Sequence, residues 1–455
     1  MGAIGPAADA EAHTLSDCHN HGELNLKGWM AYVNGTAFNF GGVAGYSAVP
    51  ASDCSNDATF AAESKGAYVR LGGVIGYAAK PVENMINSGK LDFSIVRSSA
   101  GAVTNYKQLA TQLIIGGAVG RAQSAASGCI NEGDLTLTST AADNLAAKLQ
   151  MGGSVGYAVS TFSGSNSGKV SIASHSGKQV ILGGVIGEGA AQGLGSECSN
   201  TGDVSASLGT VDQTWMGGVF GSIAKPSSGN VTHTGLVNNG ALSLTIENSS
   251  NSGFYYLGGV SGTSAASQVF TNCKNYGDIS YTGHAKMRIG GINAYMNQTA
   301  TGSVVECDIT ANCTGRNYSE VGGVSAYTAA TNLRDWSFSG NINTSGSSAK
   351  VYTGGLLGKT NGKSSFNGCR FSGNISGGGS YNTPGIYVGG LQADGYVLSF
   401  GSESKCTVGA GTKVNGSEIT VLNNEILVSQ SSCNSNYTAD ESFTSTGSLD
   451  NIVIE

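Results

Sequence analysis

Short stretches in which apolar and polar residues alternate recur through the chain, each introduced by a turn of small residues. The phrase is plainest in MINSGKLDF (85–93), CINEGDLTL (129–137), CSNTGDVSA (198–206) and CKNYGDISY (273–281). CHNHGELNL (18–26), LVNNGALSL (236–244), WSFSGNINT (336–344) and CRFSGNISG (369–377) are variants of it. Each has an apolar residue, small polar residues, a Gly, a polar residue and then a run of period two, the pattern of a turn followed by a strand. A second phrase alternates with the first: FGGVAGY (40–46), LGGVIGY (71–77), MGGSVGY (151–157), LGGVIGE (182–188), MGGVFGS (216–222) and LGGVSGT (257–263). Gly-Gly pairs, all but the one at 152 followed by an apolar residue, begin at 41, 72, 116, 152, 183, 217, 258, 290, 322, 354 and 389, at intervals of 31 to 44 residues. Periods of this length mark solenoids, propellers or arrays. No long segment has helical period; residues 139–151 come nearest and are expected to form a loop or a short helix.

Three short strands per unit, joined by glycine-assisted turns, predict an all-β fold. The expected architecture is a right-handed parallel β-helix, or β-solenoid, of about twelve coils, each strand pairing with its copy one coil away at about 4.8 Å. Propeller blades would need longer, antiparallel strands. Residues 1–17 read as a lead-in or linker, 18–410 as the solenoid and 411–455 as a C-terminal cap. Within the cap, SEITVLNNEILVS (417–429) reads as a capping hairpin turning at Asn423-Asn424 and covering the last strand edge.

Alignment on the Gly-Gly pair sorts the positions by role. The residue immediately before it (Phe40, Leu71, Ile115, Met151, Leu182, Met216, Leu257, Ile289 and later copies) and the one two places earlier are mostly apolar and should face the core. The residue between them should face outward: Asn39, Arg70, Ile114, Gln150, Ile181, Trp215, Tyr256, Arg288, Glu320, Tyr352 and Tyr387. Trp215 with Tyr256, and Tyr352 with Tyr387, are expected on adjacent coils, where exposed rings could stack on sugars or on each other. With Arg288, these four aromatics are the candidate ligand-binding residues. A further column, Tyr46, Tyr77, Arg121, Tyr157, Glu188, Tyr295, Tyr327 and Lys359, reads as a solvated turn edge.

Composition changes the picture in three ways. Of 455 residues 71 are Gly and 5 are Pro, and 12% are charged while 40% are hydrophobic, so a core can form without collagen-like or disordered character. The net charge of −7 comes with no Lys/Arg cluster, which excludes a nucleic-acid interface of the usual kind. No apolar run is long enough to span a bilayer, and MGAIGPAADAEAH lacks the regions of a signal peptide, as expected if an upstream region supplies the anchor. Ten cysteines are numerous enough for a disulfide scaffold. Yet Cys18, Cys129, Cys198, Cys273 and Cys369 share a column with Met85, Leu236 and Trp336, so they are expected to be free thiols in the core. Cys54, Cys307 and Cys406 are assigned to the same column. Cys313 and Cys433 fall outside it, and pairing there stays open.

Candidate chemistry is sparse. His19 and His21 beside Asp17 and Cys18 superficially resemble a ligand cluster, but the segment reads as a turn; no metal site or cofactor is expected. Asp134, Asp203 and Asp278 follow the turn glycine in a column shared with Lys, Ala and Asn, and read as polar turn positions rather than a glycosidase pair. Arg288 with Glu320, and LRDW (333–336), come nearest to a lyase-like site. The reading is therefore non-enzymatic, the alternative being a polysaccharide lyase or glycoside hydrolase on a β-helix.

The pairing of GGVxGY with CxNxGDI resembles the GLUG motif repeats of bacterial surface proteins, over roughly residues 18–410, with departures near 97–115, 300–320 and 380–410. The resemblance implies an extracellular, adhesin-like bacterial protein anchored at the cell surface, by expectation the outer membrane. It carries no catalytic residue to this chain. The favoured reading of the chain itself is a solenoid that displays a long face to a glycan or host-surface ligand, or that serves as a spacer.

Overall fold

The computed structural model describes residues 3–4, 13–26, 37–64, 68–95, 112–139, 146–189, 198–224, 229–249, 254–264, 268–296, 301–315, 319–329, 332–346, 351–360, 364–377, 384–389, 398–400, 404–422, 427 and 451–455. Every described element is a β-strand. The chain is an all-β, parallel β-solenoid of stacked coils, with about nine turns rather than twelve. It divides into two compact units, residues 1–227 with 239–251, and 228–238 with 252–455.

A coil of the first unit contains four strands: Val82–Asn87, Leu91–Ile95, Gln112–Gly116 and Val119–Ala122. Each pairs in parallel with its copy one repeat away, as in Leu91↔Leu135, Ile115↔Met151 and Val119↔Val155. The fourth strand was not expected. Its short VGRA or IGYA sequence hides its alternation behind glycine, but Ile75 and Ala78 are buried while Tyr77 between them is half-buried. In two coils the second and third strands fuse into 14-residue strands, Val170–Gly183 and Val204–Gly217, with bulges on either side of His175. Residues Ala146–Gly152 form a strand too, so that part of the 139–151 stretch is neither loop nor helix.

The second unit repeats the scheme, with third strands Tyr255–Gly258, Met287–Gly290, Ser319–Gly322 and Val351–Gly354 and fourth strands Ser261–Ser264, Asn293–Met296, Ser325–Thr328 and Leu357–Thr360. One copy is out of the expected register. Gly354 bridges Gly385 and Leu357 bridges Val388, so Gly389 matches Gly358 and is not a corner pair. At the C-terminal end an antiparallel hairpin does form, but between Lys413–Val414 and Ser417–Glu418. Asn415 and Gly416, both at positive φ (47° and 81°), make its turn, the left-handed geometry that Asn-Gly hairpins favour. The expected turn at Asn423-Asn424 lies outside the described residues. Ile452–Ile454 pairs in parallel with Cys406–Val408.

The Gly-Gly pair is a packing requirement. A Cβ on Gly42 would lie 2.5 Å from the Gly73 carbonyl oxygen and 2.6 Å from Asn56 Oδ1. That asparagine belongs to a buried ladder that the sequence pattern presents simply as turn residues. Asn56 Nδ2 donates to Asn87 Oδ1 at 2.8 Å, Asn87 to Asn131 at 2.7 Å, Asn131 to Asn166 at 2.7 Å and Asn166 to Asn200 at 2.8 Å. The same Nδ2 groups also donate to the carbonyl two residues on, for example Asn131 to Gly133 at 2.7 Å. In the second unit Asn238 donates to Asn275, whose own Nδ2 meets Cys307 Sγ at 3.2 Å. Beyond that point the column turns apolar, through Val305, Phe338 and Phe371.

Before most of the described residues of the inward Cys column the chain turns through the left-handed region, at Asp17, Asp53, Asn84 and Gly128 in the first unit and at Gly235, Asn272, Gly302, Asp335 and Gly368 in the second. These are the residue types that tolerate positive φ. Cys54 pairs in register with Met85, and Cys406 follows Cys369, as expected. Cys307 does not share their column. Lys274 pairs with Val304, so Ser303 takes the place of Cys273 in that coil, and Cys307 takes the place of Gly277. All nine described cysteines are free. Burial pushes the Cys129, Cys198 and Cys273 thiols up to about 12. Cys433 lies outside the described residues.

Candidate functional site

The third and fourth strands of a coil meet at the Gly-Gly corner, and their outward residues face one another across it. Two columns expected to be independent therefore form one strip: the residues before the corner and those after GGVxG. Many residues of the first column are not exposed. Ile114, Ile181 and Glu320 are fully buried, Gln150 is 1% exposed and Arg288 8%. A column between two core columns points away from the main core, but the neighbouring wall of the corner covers it. Period two fixes which face a residue takes, not what lies over that face.

In the second unit the strip is built around an ion pair. Arg288 Nε lies 2.6 Å from Glu320 Oε2, and Lys359 Nζ 3.8 Å from Glu320 Oε1. The guanidinium also sits 3.9 Å from the ring centres of Phe254 and Tyr327 and 5.1 Å from that of Tyr295. Tyr295 stacks on Tyr327 at 5.3 Å, and Tyr256 meets Tyr295 edge-on at 6.1 Å. Lys359 lies 5.0 Å from the Tyr352 ring centre. Burial raises the Glu320 carboxyl above its ordinary value, against the pull of Arg288 and Lys359. Removing one member of such an enclosed pair leaves a charge uncompensated, at a typical cost of about 3–5 kcal/mol.

In the first unit the corresponding column runs Tyr46, Tyr77, Arg121, Tyr157, Glu188, Ser222, each in register with the next. Tyr46 and Tyr77 are 5.3 Å apart. Arg70 lies 4.3 Å from the Tyr77 ring centre, and Arg121 5.6 and 5.2 Å from those of Tyr77 and Tyr157. All five side chains are half-buried. Glu188 is held by Lys148 and Gln150.

Of the candidate ligand-binding residues, Trp215, Tyr256 and Tyr352 are half-buried on this corner. Trp215 is in register with Ile181 in the first unit, Tyr256 with Arg288 and Tyr352 with Glu320 in the second. Arg288 is enclosed by Glu320 and aromatic rings. Tyr387 is not on the corner: the shifted register puts it opposite Leu356, fully buried, with its hydroxyl donating to Thr407 O at 3.2 Å and its ring against Phe366 and Phe400. Its expected exposure followed from the glycine pair at 389, which is not the corner. The sequence reading missed Tyr46, Tyr77, Tyr295 and Tyr327 as members of the strip. Their recurrence at one position after GGVxG was the available signal.

The other candidate groups have structural partners. Asp134 Oδ1 accepts from Lys169 N at 2.9 Å, Asp203 Oδ1 from Ala241 N at 3.0 Å and Asp278 Oδ1 from Asp308 N at 2.9 Å, each tying its turn to the next coil. His19 contacts Ser55 and Asp17, and His21 contacts Asp57. Among the described residues no three His, Cys, Asp or Glu side chains are grouped to hold a metal, and no helix is long and apolar enough to cross a membrane. A hollow of about 180 Å³ lies elsewhere, on the outer face of the second strands, lined by Ala61, Glu63, Asp92, Ser94, Thr136 and Thr138. Lys90 pairs with Asp92 at its edge, at 3.0 Å. Comparison with protein-family models, curated proteins and solved structures finds no match to this chain.

Proposed function

We propose that the protein is a non-enzymatic binding scaffold of the bacterial cell surface, in which the corner strips of the solenoid take up a glycan or host-surface ligand. The observation that carries this reading is the run of half-buried tyrosines, Tyr256, Tyr295 and Tyr352, along one corner of the second unit, interleaved with the Arg288–Glu320–Lys359 charges. Such rings are partly covered and rigidly spaced, which suits stacking against sugar faces at low entropic cost. The surface location rests on the resemblance of the repeat to GLUG motifs and on the low charge of the chain. The test is a glycan array probed with the wild type and with Trp215→Ala and Tyr256→Ala. Loss of signal on a defined set of glycans with either variant supports the reading. Unchanged binding by both would make the aromatic column a packing feature alone.

A further inference from the structure

The corner of the first unit differs from that of the second in one respect that points to a ligand. Its two guanidiniums have no carboxylate partner among the described residues, whereas Arg288 is paired with Glu320. Arg70 donates through Nε and Nη2 to Tyr68 Oη at 3.2 and 2.8 Å and through Nη1 to Asn39 Oδ1 at 3.4 Å. Arg121 donates through Nη2 to Gln123 Oε1 at 2.9 Å, and its Nε is buried without any hydrogen-bond partner. An arginine carries five N–H donors in a fixed fork, so Arg121 keeps most of them unused. The one carboxylate on this strip, Glu188, is already bound by Lys148 and Gln150. The exposed donors reach solvent, but the buried Nε is left unsatisfied, a cost that an acceptor brought by a ligand would remove.

We propose that this strip binds an acidic saccharide, with the carboxylates of uronate-type sugars on Arg121 and Arg70 and the sugar faces against Tyr46, Tyr77 and Tyr157. The planar fork of a guanidinium matches a carboxylate bidentately. Arg70 and Arg121 lie on successive coils, about 4.8 Å apart along the stack, a spacing on the scale of one sugar residue in an extended chain. Two isolated cations in a chain of net charge −7 do not form the basic surface that a nucleic acid would need. The proposal rests on the glycan-binding reading above and specifies the ligand's charge and its place on the first unit.

The test measures binding of the full chain to oligogalacturonate, and to the same oligosaccharide with its carboxyls methyl-esterified, by calorimetry at low salt. The proteins compared are wild type, Arg121→Gln, Arg70→Gln, Arg121→Lys and the exposed control Lys80→Gln. The expected result is binding of the acidic form, weakened about tenfold or more by either Gln variant. Arg121→Lys should bind at an intermediate level, Lys80→Gln like wild type, and the ester weakly or not at all. Melting curves that match the wild type separate loss of binding from loss of fold. Equal binding of acid and ester, or full binding by a double Arg70→Gln/Arg121→Gln variant, overturns the proposal. So does absence of binding to the acidic form. If neutral glycans still bind on the array in a manner sensitive to Tyr256→Ala, the broader reading survives that failure.

Discussion

Asn131 is the most informative single position for the internal architecture. Its side chain is fully buried, donates to Asn166 Oδ1 and Gly133 O, and accepts from Asn87 Nδ2, all at 2.7 Å. Asn131→Ala removes three hydrogen bonds. It strips the Asn131 donor from Asn166 Oδ1 and Gly133 O, while Asn87 Nδ2 retains its bond to Gly89 O at 2.8 Å. At about 1–3 kcal/mol for each buried group left unsatisfied, the expected loss is roughly 3–5 kcal/mol. The second unit shows that the column can be apolar when neighbours change together, since Val305, Phe338 and Phe371 occupy it there. The penalty therefore belongs to breaking the network at one point, not to losing polarity. Urea unfolding followed through Trp215 in the first unit and the buried Trp336 in the second would measure it. Hydrogen exchange over 82–87, 126–131 and 162–166 would localise it, because stacked repeats respond through nearest neighbours. A loss below about 1 kcal/mol, or loosening spread evenly over both units, would refute the ladder as a stabilising network.

Other outcomes follow from the same contacts. Gly153→Ala places a Cβ 2.6 Å from Asn166 Oδ1 and against the Gly184 carbonyl. It should cost more than about 3 kcal/mol in chemical denaturation, while Gly235→Ala, at φ +70° with open space around it, should cost roughly 1 kcal/mol. His175 is buried, with both ring nitrogens unpartnered, and burial lowers its pKa to about 4. Below pH 6.5 the unfolded chain takes up a proton that the folded chain resists until about pH 4, so its contribution to stability is intact above 6.5 and falls as the pH drops through that window. The loss should approach a few kcal/mol and be absent in His175→Leu, as urea midpoints at pH 7.5 and 4.5 would show; an identical decline in the variant would exclude this histidine as the cause. Native-state alkylation with peptide mapping should label half-buried Cys18 before Cys129, Cys198 and Cys273, whose burial suppresses the thiolate. Equal labelling rates would contradict the packed Cys column.

The repeat period, the alternating strands and the scarcity of helical pattern were enough to give a parallel β-solenoid, because each depends on local chemistry repeated in sequence. The inward Cys column was legible for the same reason: Cys, Met, Leu and Trp share little except a preference for burial. What neighbouring coils bring together was not legible. Asn-x-Gly reads locally as a turn, and only stacking makes Asn56, Asn87 and Asn131 a hydrogen-bonded ladder. Tyr387 reads as exposed in the sequence because 389 looks like a corner, yet the pairing of Gly354 with Gly385 moves it into the core. Arg70 and Tyr77 stand on opposite sides of a Gly-Gly corner, and the bend brings the guanidinium to 4.3 Å from the ring centre. The sequence by itself determined the coil and which side chains its strands turn inward, since backbone periodicity sets both. Register between coils and closure of the corner belong to the tertiary structure, because they depend on contacts between residues a full repeat apart.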